Sequence, residues 1–174
     1  RDGIVIYHGD CLEVLREITA GSVELDAVVT DVPYASGARS EAGKKTSGAM
    51  VRGERWKSKP MPNDQMTTEG LVWFLREMCN ASRELLVDGG AFVTFIDWRQ
   101  WPHLVGAVES INLRVNGMGV WDKQSMGMGQ GFRSQHELFL FASKGTATIH
   151  DHGVGNVLRF RRDSNSLHPS PKPV

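Results

Sequence analysis

The residues best suited to chemistry stand at the end of one apolar run, where Leu25-Asp26-Ala27-Val28-Val29-Thr30 leads into Asp31-Val32-Pro33-Tyr34 and then Ala35-Ser36-Gly37. The run reads as a buried strand that stops at an acid, a proline and an aromatic ring. Parallel strands deliver functional groups to their carboxyl ends in this way. Here the groups delivered are a carboxylate and a backbone carbonyl, both acceptors, and a ring that can stack on a planar ligand. A second acid, Asp10, follows the apolar stretch Ile4-Val5-Ile6-Tyr7 and precedes Cys11-Leu12-Glu13-Val14-Leu15-Arg16-Glu17-Ile18, whose apolar residues recur at helical spacing. Asp10 has two readings, as the N-cap of that helix and as an acid facing a ligand crevice.

The elements that must hold these groups follow from periodicity. Ile4–Tyr7 reads as a strand, 11–18 as a helix closed by Gly21, and the run ending at Asp31 as a second strand. Leu71, Phe74, Leu75, Met78, Leu85 and Leu86 line one face of a helix over 67–87, ended by Asp88-Gly89-Gly90. Residues 91–96 form the next strand. A helix over 102–110 starts with Pro102, which is tolerated in a first turn. Residues 114–121 and 136–143 are two further strands that pair as an antiparallel ribbon. Between them, Ser125-Met126-Gly127-Met128-Gly129-Gln130-Gly131-Phe132 is rich in glycine, but no helix follows it, so it reads as a loop and not as a dinucleotide fingerprint.

Composition sets outer limits. The 174 residues, 40% hydrophobic and 23% charged, suit one ordinary domain with a single core. Basic and acidic residues number 20 each, so any nucleic-acid contact must come from local patches. No apolar run approaches the roughly 18 residues of a membrane span, and no signal-peptide pattern opens the chain, so the expectation is a cytoplasmic protein without a membrane partner. Cys11 and Cys79 both fall in predicted helices and are expected as buried, reduced thiols.

Residues 36–66 run without a period and carry Arg39, Lys44, Lys45, Arg52, Arg55, Lys57 and Lys59, with Trp56 among them. Such a long connection is functional or disordered. If functional, its cations would hold a phosphate backbone and Trp56 would stack on a base. His150, Asp151 and His152 do not complete a metal-ligand spacing, and no metal is expected. There is no internal repeat and no second domain.

Asp31-Val32-Pro33-Tyr34 resembles the Asp-Pro-Pro-Tyr signature of methyltransferases that act on exocyclic amines of DNA bases, with valine in place of the first proline. The element order is similar to an α/β class I, Rossmann-like methyltransferase sheet, circularly permuted, ending in an antiparallel edge ribbon. Further stretches resemble the β-class of these enzymes. His8-Gly9-Asp10-Cys11-Leu12 is similar to the opening that contacts the cofactor adenine. Leu86-Val87-Asp88-Gly89-Gly90 resembles a helix-to-strand junction. Val120-Trp121-Asp122-Lys123 and Arg133-Ser134-Gln135-His136-Glu137-Leu138 resemble the ribbon beside the target-base pocket, and His168-Pro169-Ser170-Pro171-Lys172-Pro173 a turn before the cofactor subregion.

The resemblance implies S-adenosylmethionine as methyl donor, double-stranded DNA as substrate, and adenine N6 rather than cytosine N4 as the methylated amine. It assigns Asp31, Val32, Pro33 and Tyr34 to catalysis and Asp10, Cys11, His168 and Lys172 to the cofactor. DNA contacts fall to the basic residues of 36–66 named above together with Trp56, to Arg133, and to a short target-recognition segment at 144–165. The family's Phe-x-Gly-x-Gly loop and the strands that would flank Ile4–Tyr7 are not in residues 1–174. The domain is therefore expected to be partial, completed by a missing C-terminal half or by a second copy. Two other readings stand beside it, a non-catalytic DNA-binding or regulatory fragment and a methyltransferase acting on RNA or protein glutamine.

Overall fold

The computed structural model describes residues 3–35, 66–127 and 131–161. Its elements are α1 (Cys11–Ala20), β1 (Leu25–Asp31), α2 (Thr68–Leu85), β2 (Leu86–Ile96), α3 (Trp101–Ser110), β3 (Arg114–Asp122), β4 (His136–Ser143) and β5 (Val157–Arg159). The strands form one sheet in the order β1-β2-β4-β3-β5. β1 is parallel to β2, β4 is antiparallel to both β2 and β3, and β5 is parallel to β3. The ends of β1, β2, β3 and β5 and the start of β4 consequently share one edge of the sheet, and Asp31 lies on it. The antiparallel ribbon expected from sequence is present, with Gly119 opposite Phe139 and Trp121 opposite Glu137.

The helices form for local reasons and stay for tertiary ones. The Asp10 carboxylate accepts from the Leu12 and Glu13 N–H groups at 2.9 and 3.3 Å, and Thr67 Oγ1 accepts from Gly70 N–H at 3.1 Å. Such a cap contributes about 1 kcal/mol. Burying one leucine contributes about 1.5–3 kcal/mol, and α2 buries Leu71, Leu75, Met78, Cys79 and Leu85 along one stripe. Packing therefore outweighs capping. The stripe meets Phe92 and Ile96 of β2, Leu104, Ala107 and Val108 of α3, and Leu140 and Ala142 of β4 in a single core. In β2, Phe92, Thr94 and Ile96 are buried while Val93 and Phe95 are partly exposed, so the strand has one face in the core and one outside it.

Three sequence expectations are corrected. Ile4–Tyr7 is not a strand: Ile4 and Ile6 are 91% and 88% exposed, and no described strand lies beside it. A strand without a neighbour leaves its backbone groups unpaired. Asp88-Gly89-Gly90 does not end a helix but lies inside β2 as an irregularity. Gly89 adopts φ 83°, donates its N–H to Lys144 O at 2.7 Å and accepts from Thr148 N–H at 3.1 Å. Glycine is required there, because a Cβ would overlap Thr148 Oγ1 and the φ is left-handed. Finally, the run ending at Asp31 is a strand but not a buried one: β1 stands at one end of the described strand order and Val29 is 70% exposed.

Candidate active site

Asp31 closes β1, and the chain then turns sharply back into the core. Val32 is 5% exposed and Ala35 is fully buried. Valine at position 32 is thus a core side chain, and a carbonyl is present whatever that side chain is. Ala35 adopts φ 50°, a left-handed conformation costing a non-glycine residue about 1–2 kcal/mol. The turn holds Tyr34 half-buried, with its hydroxyl donating to Asp31 Oδ1 at 2.8 Å and lying 3.4 Å from Glu137 Oε2. Burial first, then the Asp31 and Glu137 carboxylates, push the Tyr34 phenol far above its ordinary value. Tyr34 therefore remains a protonated donor throughout the working pH range.

Glu137 comes from β4, and its Oε1 lies 3.4 Å from Lys123 Nζ, with the two side chains 18% and 12% exposed. In the sequence both residues fall in the ribbon stretches and neither has an assigned role. The signal was an acid entering an otherwise apolar strand, and only the register of β3 on β4 gives it a cation and a tyrosine.

A cavity of about 880 Å³ runs from Asp31, Val32 and Pro33 along β1 to the start of α1, with Trp73, Phe74 and Met78 of α2 on its far wall. Asp10, Cys11 and Tyr7 also line it. Asp10 caps α1 and borders the cavity that Asp31 borders. Cys11 corrects the sequence expectation of a buried thiol, since it opens α1 and is exposed, whereas Cys79 is buried. Burial raises the Cys79 thiol to about 12. A disulfide reagent added to the native protein is expected to titrate Cys11 first and Cys79 only on unfolding. Two equally fast thiols would contradict this arrangement.

The same edge carries several exposed aromatic side chains that sequence reasoning did not single out, among them Trp98 beyond β2, Phe132 between β3 and β4, and Phe160 after β5. Arg133 lies beside Phe132, with Nη2 3.3 Å from Met126 Sδ. Arg39, Lys44, Lys45, Arg52, Arg55, Trp56, Lys57, Lys59, His168 and Lys172 lie outside the described residues. Among the described residues no group of three or more His, Cys, Asp or Glu could hold a metal ion, and no helix is long and apolar enough to cross a membrane.

The end of β3 is tied by Asp122, whose Oδ1 accepts from Gln135 Nε2 at 2.8 Å and Gln124 N–H at 2.9 Å, with Arg159 at 3.8 Å from Oδ2. These bonds, the Gln135 one foremost, hold its carboxyl below the ordinary 3.8. A group depressed in the folded state stabilises fully above its ordinary value, and that contribution is lost as pH falls through the lowered value. Thermal melts between pH 5 and about 2 should show the loss in the wild type. Asp122→Asn should reduce that pH dependence, and an unchanged profile would rule the tie out.

A mixed sheet with an acid and aromatic turn at its carboxyl edge, over a cavity reaching a helix N-terminus, defines a class I methyltransferase-like fold, incomplete within the described residues. Comparison with known proteins narrows the class. Residues 25–174 match the family described as DNA methylase, of the N6/N4 type, and the chain belongs to that family. The chain is 24% identical over 166 residues to the Escherichia coli (strain K12) protein named "Putative methylase YubD", covering 95% of this chain and 63% of that protein. Among solved structures, the complex of M1.HpyAVI with SAM superposes with a TM-score of 0.57 at 15% identity, covering 88% of this chain and 65% of that one. PvuII DNA methyltransferase, described as cytosine-N4-specific, superposes with a TM-score of 0.59 at 12% identity over 91% of this chain and 57% of that one. The chain thus spans less than two thirds of the length of each of these relatives.

Proposed function

We propose that this chain carries the base-side half of a methyltransferase that moves the methyl group of S-adenosylmethionine to an exocyclic amine of DNA, adenine N6. The observation that carries the reading is Asp31 at the end of β1, on the cavity, in the tetrapeptide Asp31-Val32-Pro33-Tyr34 of an N6/N4 DNA methylase family member. An exocyclic base amine is a poor nucleophile because its lone pair is delocalised into the ring. Asp31 accepts one amine hydrogen and the carbonyl of residue 32 the other, which draws the nitrogen toward tetrahedral geometry and frees the lone pair. Attack is direct and in line, so positioning and electrostatics supply the rate. The target base must leave the duplex stack to reach this edge, and the Tyr34 ring is the stacking surface. Adenine is favoured by the acid that opens the tetrapeptide.

S-adenosylmethionine supplies an activated methyl group when bound. The residues present fit one end of it: the cavity joins Asp31 to Asp10 and Cys11 between apolar walls from Leu12, Leu15, Val28 and Phe74. Asp10 and Cys11 would hold the adenine end. Because Cys11 is exposed and lines the cavity, the cofactor should slow its alkylation by iodoacetamide. Equal alkylation rates with and without cofactor would remove Cys11 from the binding surface.

The reading as a whole is tested by transfer of tritiated methyl to duplex DNA, RNA and protein, with the product nucleoside identified by mass spectrometry. N6-methyladenine in DNA is expected, and label in RNA or protein alone would replace the DNA assignment. A second reading, a non-catalytic DNA-binding or regulatory fragment, stands beside it. Calorimetry with S-adenosylmethionine on residues 1–174 separates the two, since no binding heat supports the second.

A further inference from the structure

Tyr34 has one hydroxyl proton and two carboxylates within reach of it. Asp31 Oδ1 stands at 2.8 Å and Glu137 Oε2 at 3.4 Å. Lys123 Nζ lies 3.4 Å from the other oxygen of Glu137 and orients that side chain at the sheet edge. We propose that Glu137 is a positioning residue for the methyl-transfer site, the alternate acceptor to which the Tyr34 hydroxyl turns when a base amine takes its place on Asp31. The inference rests on the reading of Asp31 given above.

The physical case is competition for one carboxylate. A phenol donating to a carboxylate draws charge from it and weakens it as an acceptor for a second donor. Activation of the base amine depends on that second bond. Turning the O–H about the Cζ–O bond moves no heavy atom, so Tyr34 can release Asp31 while its ring stays in place to stack. The turn requires a second acceptor within reach of the phenol oxygen, and Glu137, held in the ribbon by its pairing with Trp121, is one. Lys123, just past the end of β3, offsets the repulsion between the two carboxylates. The edge ribbon is thereby coupled to the catalytic turn through one hydroxyl.

The test is a double-mutant cycle in the intact protein on duplex DNA, read as kcat and KM. Glu137→Ala should lower kcat about tenfold with KM for S-adenosylmethionine unchanged within about twofold. Glu137→Gln, whose amide oxygen still accepts, should recover most of the rate. Because Tyr34→Phe removes the competing hydroxyl, the double variant Tyr34→Phe with Glu137→Ala should be no slower than Tyr34→Phe alone. Losses that multiply, or a Glu137→Ala protein at wild-type rate, would overturn the proposal. A second readout does not depend on catalysis or on Glu137→Ala folding. In protein labelled with carbon-13 at tyrosine Cζ, Glu137→Gln should move the Tyr34 signal and leave that of Tyr7 in place. An unmoved Tyr34 signal would overturn the contact. A wild-type protein that methylates no DNA would defeat the functional reading instead, and the carbon-13 signal would still decide whether Tyr34 and Glu137 interact.

Discussion

Replacing Asp31 with alanine is expected to slow methyl transfer to a base amine about a thousandfold, a barrier increase of about 4 kcal/mol. The size follows from what the carboxylate does. On the proposed reading it supplies one of two acceptors for the amine hydrogens, and the charged one of the pair, with no separate nucleophile to share the task. Asp31→Asn keeps an acceptor oxygen without the charge and should fall between the two. Cofactor binding should change little, because Asp10 and Cys11 border the cavity at the start of α1, away from Asp31. The measurement is single-turnover tritium transfer to duplex DNA in the intact protein, paired with calorimetry for S-adenosylmethionine. An Asp31→Ala protein that methylates at the full rate would defeat the assignment of the site. Cofactor affinity lost in parallel would instead show that Asp31 serves binding.

Gly119→Ala is expected to destabilise the fold by about 1–3 kcal/mol through overpacking. Gly119 faces Phe139 across the ribbon, and a Cβ there would overlap Cζ, Cε1 and Cε2 of that ring. The ring is not free to leave at no cost. It packs against Phe95, with centroids 5.6 Å apart and planes at 50°, an arrangement worth about 0.5–1.5 kcal/mol beyond burial. For a protein of this size each kcal/mol lowers Tm by about 2–4 °C, so a drop of several degrees is expected. Gly119→Ala combined with Phe139→Leu should recover part of the loss, since leucine vacates the ring's space. Phe139 is two residues from Glu137 on β4, so the single variant should also slow catalysis beyond its effect on Tm. An unchanged Tm would show that the ring relocates freely.

Much of the framework was legible in local pattern. The helical stripe of α2, the strand over 91–96, the pairing of the ribbon and the abrupt end of β1 at Asp31 each rest on pattern along the chain, and the structure has all of them. Ile4–Tyr7 carries the same apolar signal and is not a strand, because strand formation needs a neighbour and pattern does not state whether one is there. Asp88-Gly89-Gly90 carries a turn signal and lies inside a strand, because Lys144 and Thr148 accept and return the hydrogen bonds that a turn would otherwise have to satisfy itself. Cys11 was expected to be buried from its helix, but its place at the first turn exposes it. For the first two the deciding neighbour is remote in sequence, whereas for Cys11 the position at a helix start decides.

The sequence by itself determined the acid, the carbonyl and the ring of Asp31-Val32-Pro33-Tyr34, their place at a strand end, and membership in a family that methylates DNA. Residue type and strand periodicity are local, so short-range steric and solvation preferences suffice for them. Only the tertiary structure decided that Val32 serves the core, that the Tyr34 hydroxyl lies between Asp31 and Glu137, and that Asp10 and Asp31 border one cavity. Those relations depend on strand register and on the packing of α1 and α2 against the sheet, which join residues as far apart as 34 and 137. A one-residue slip of β4 would turn Glu137 to the opposite face.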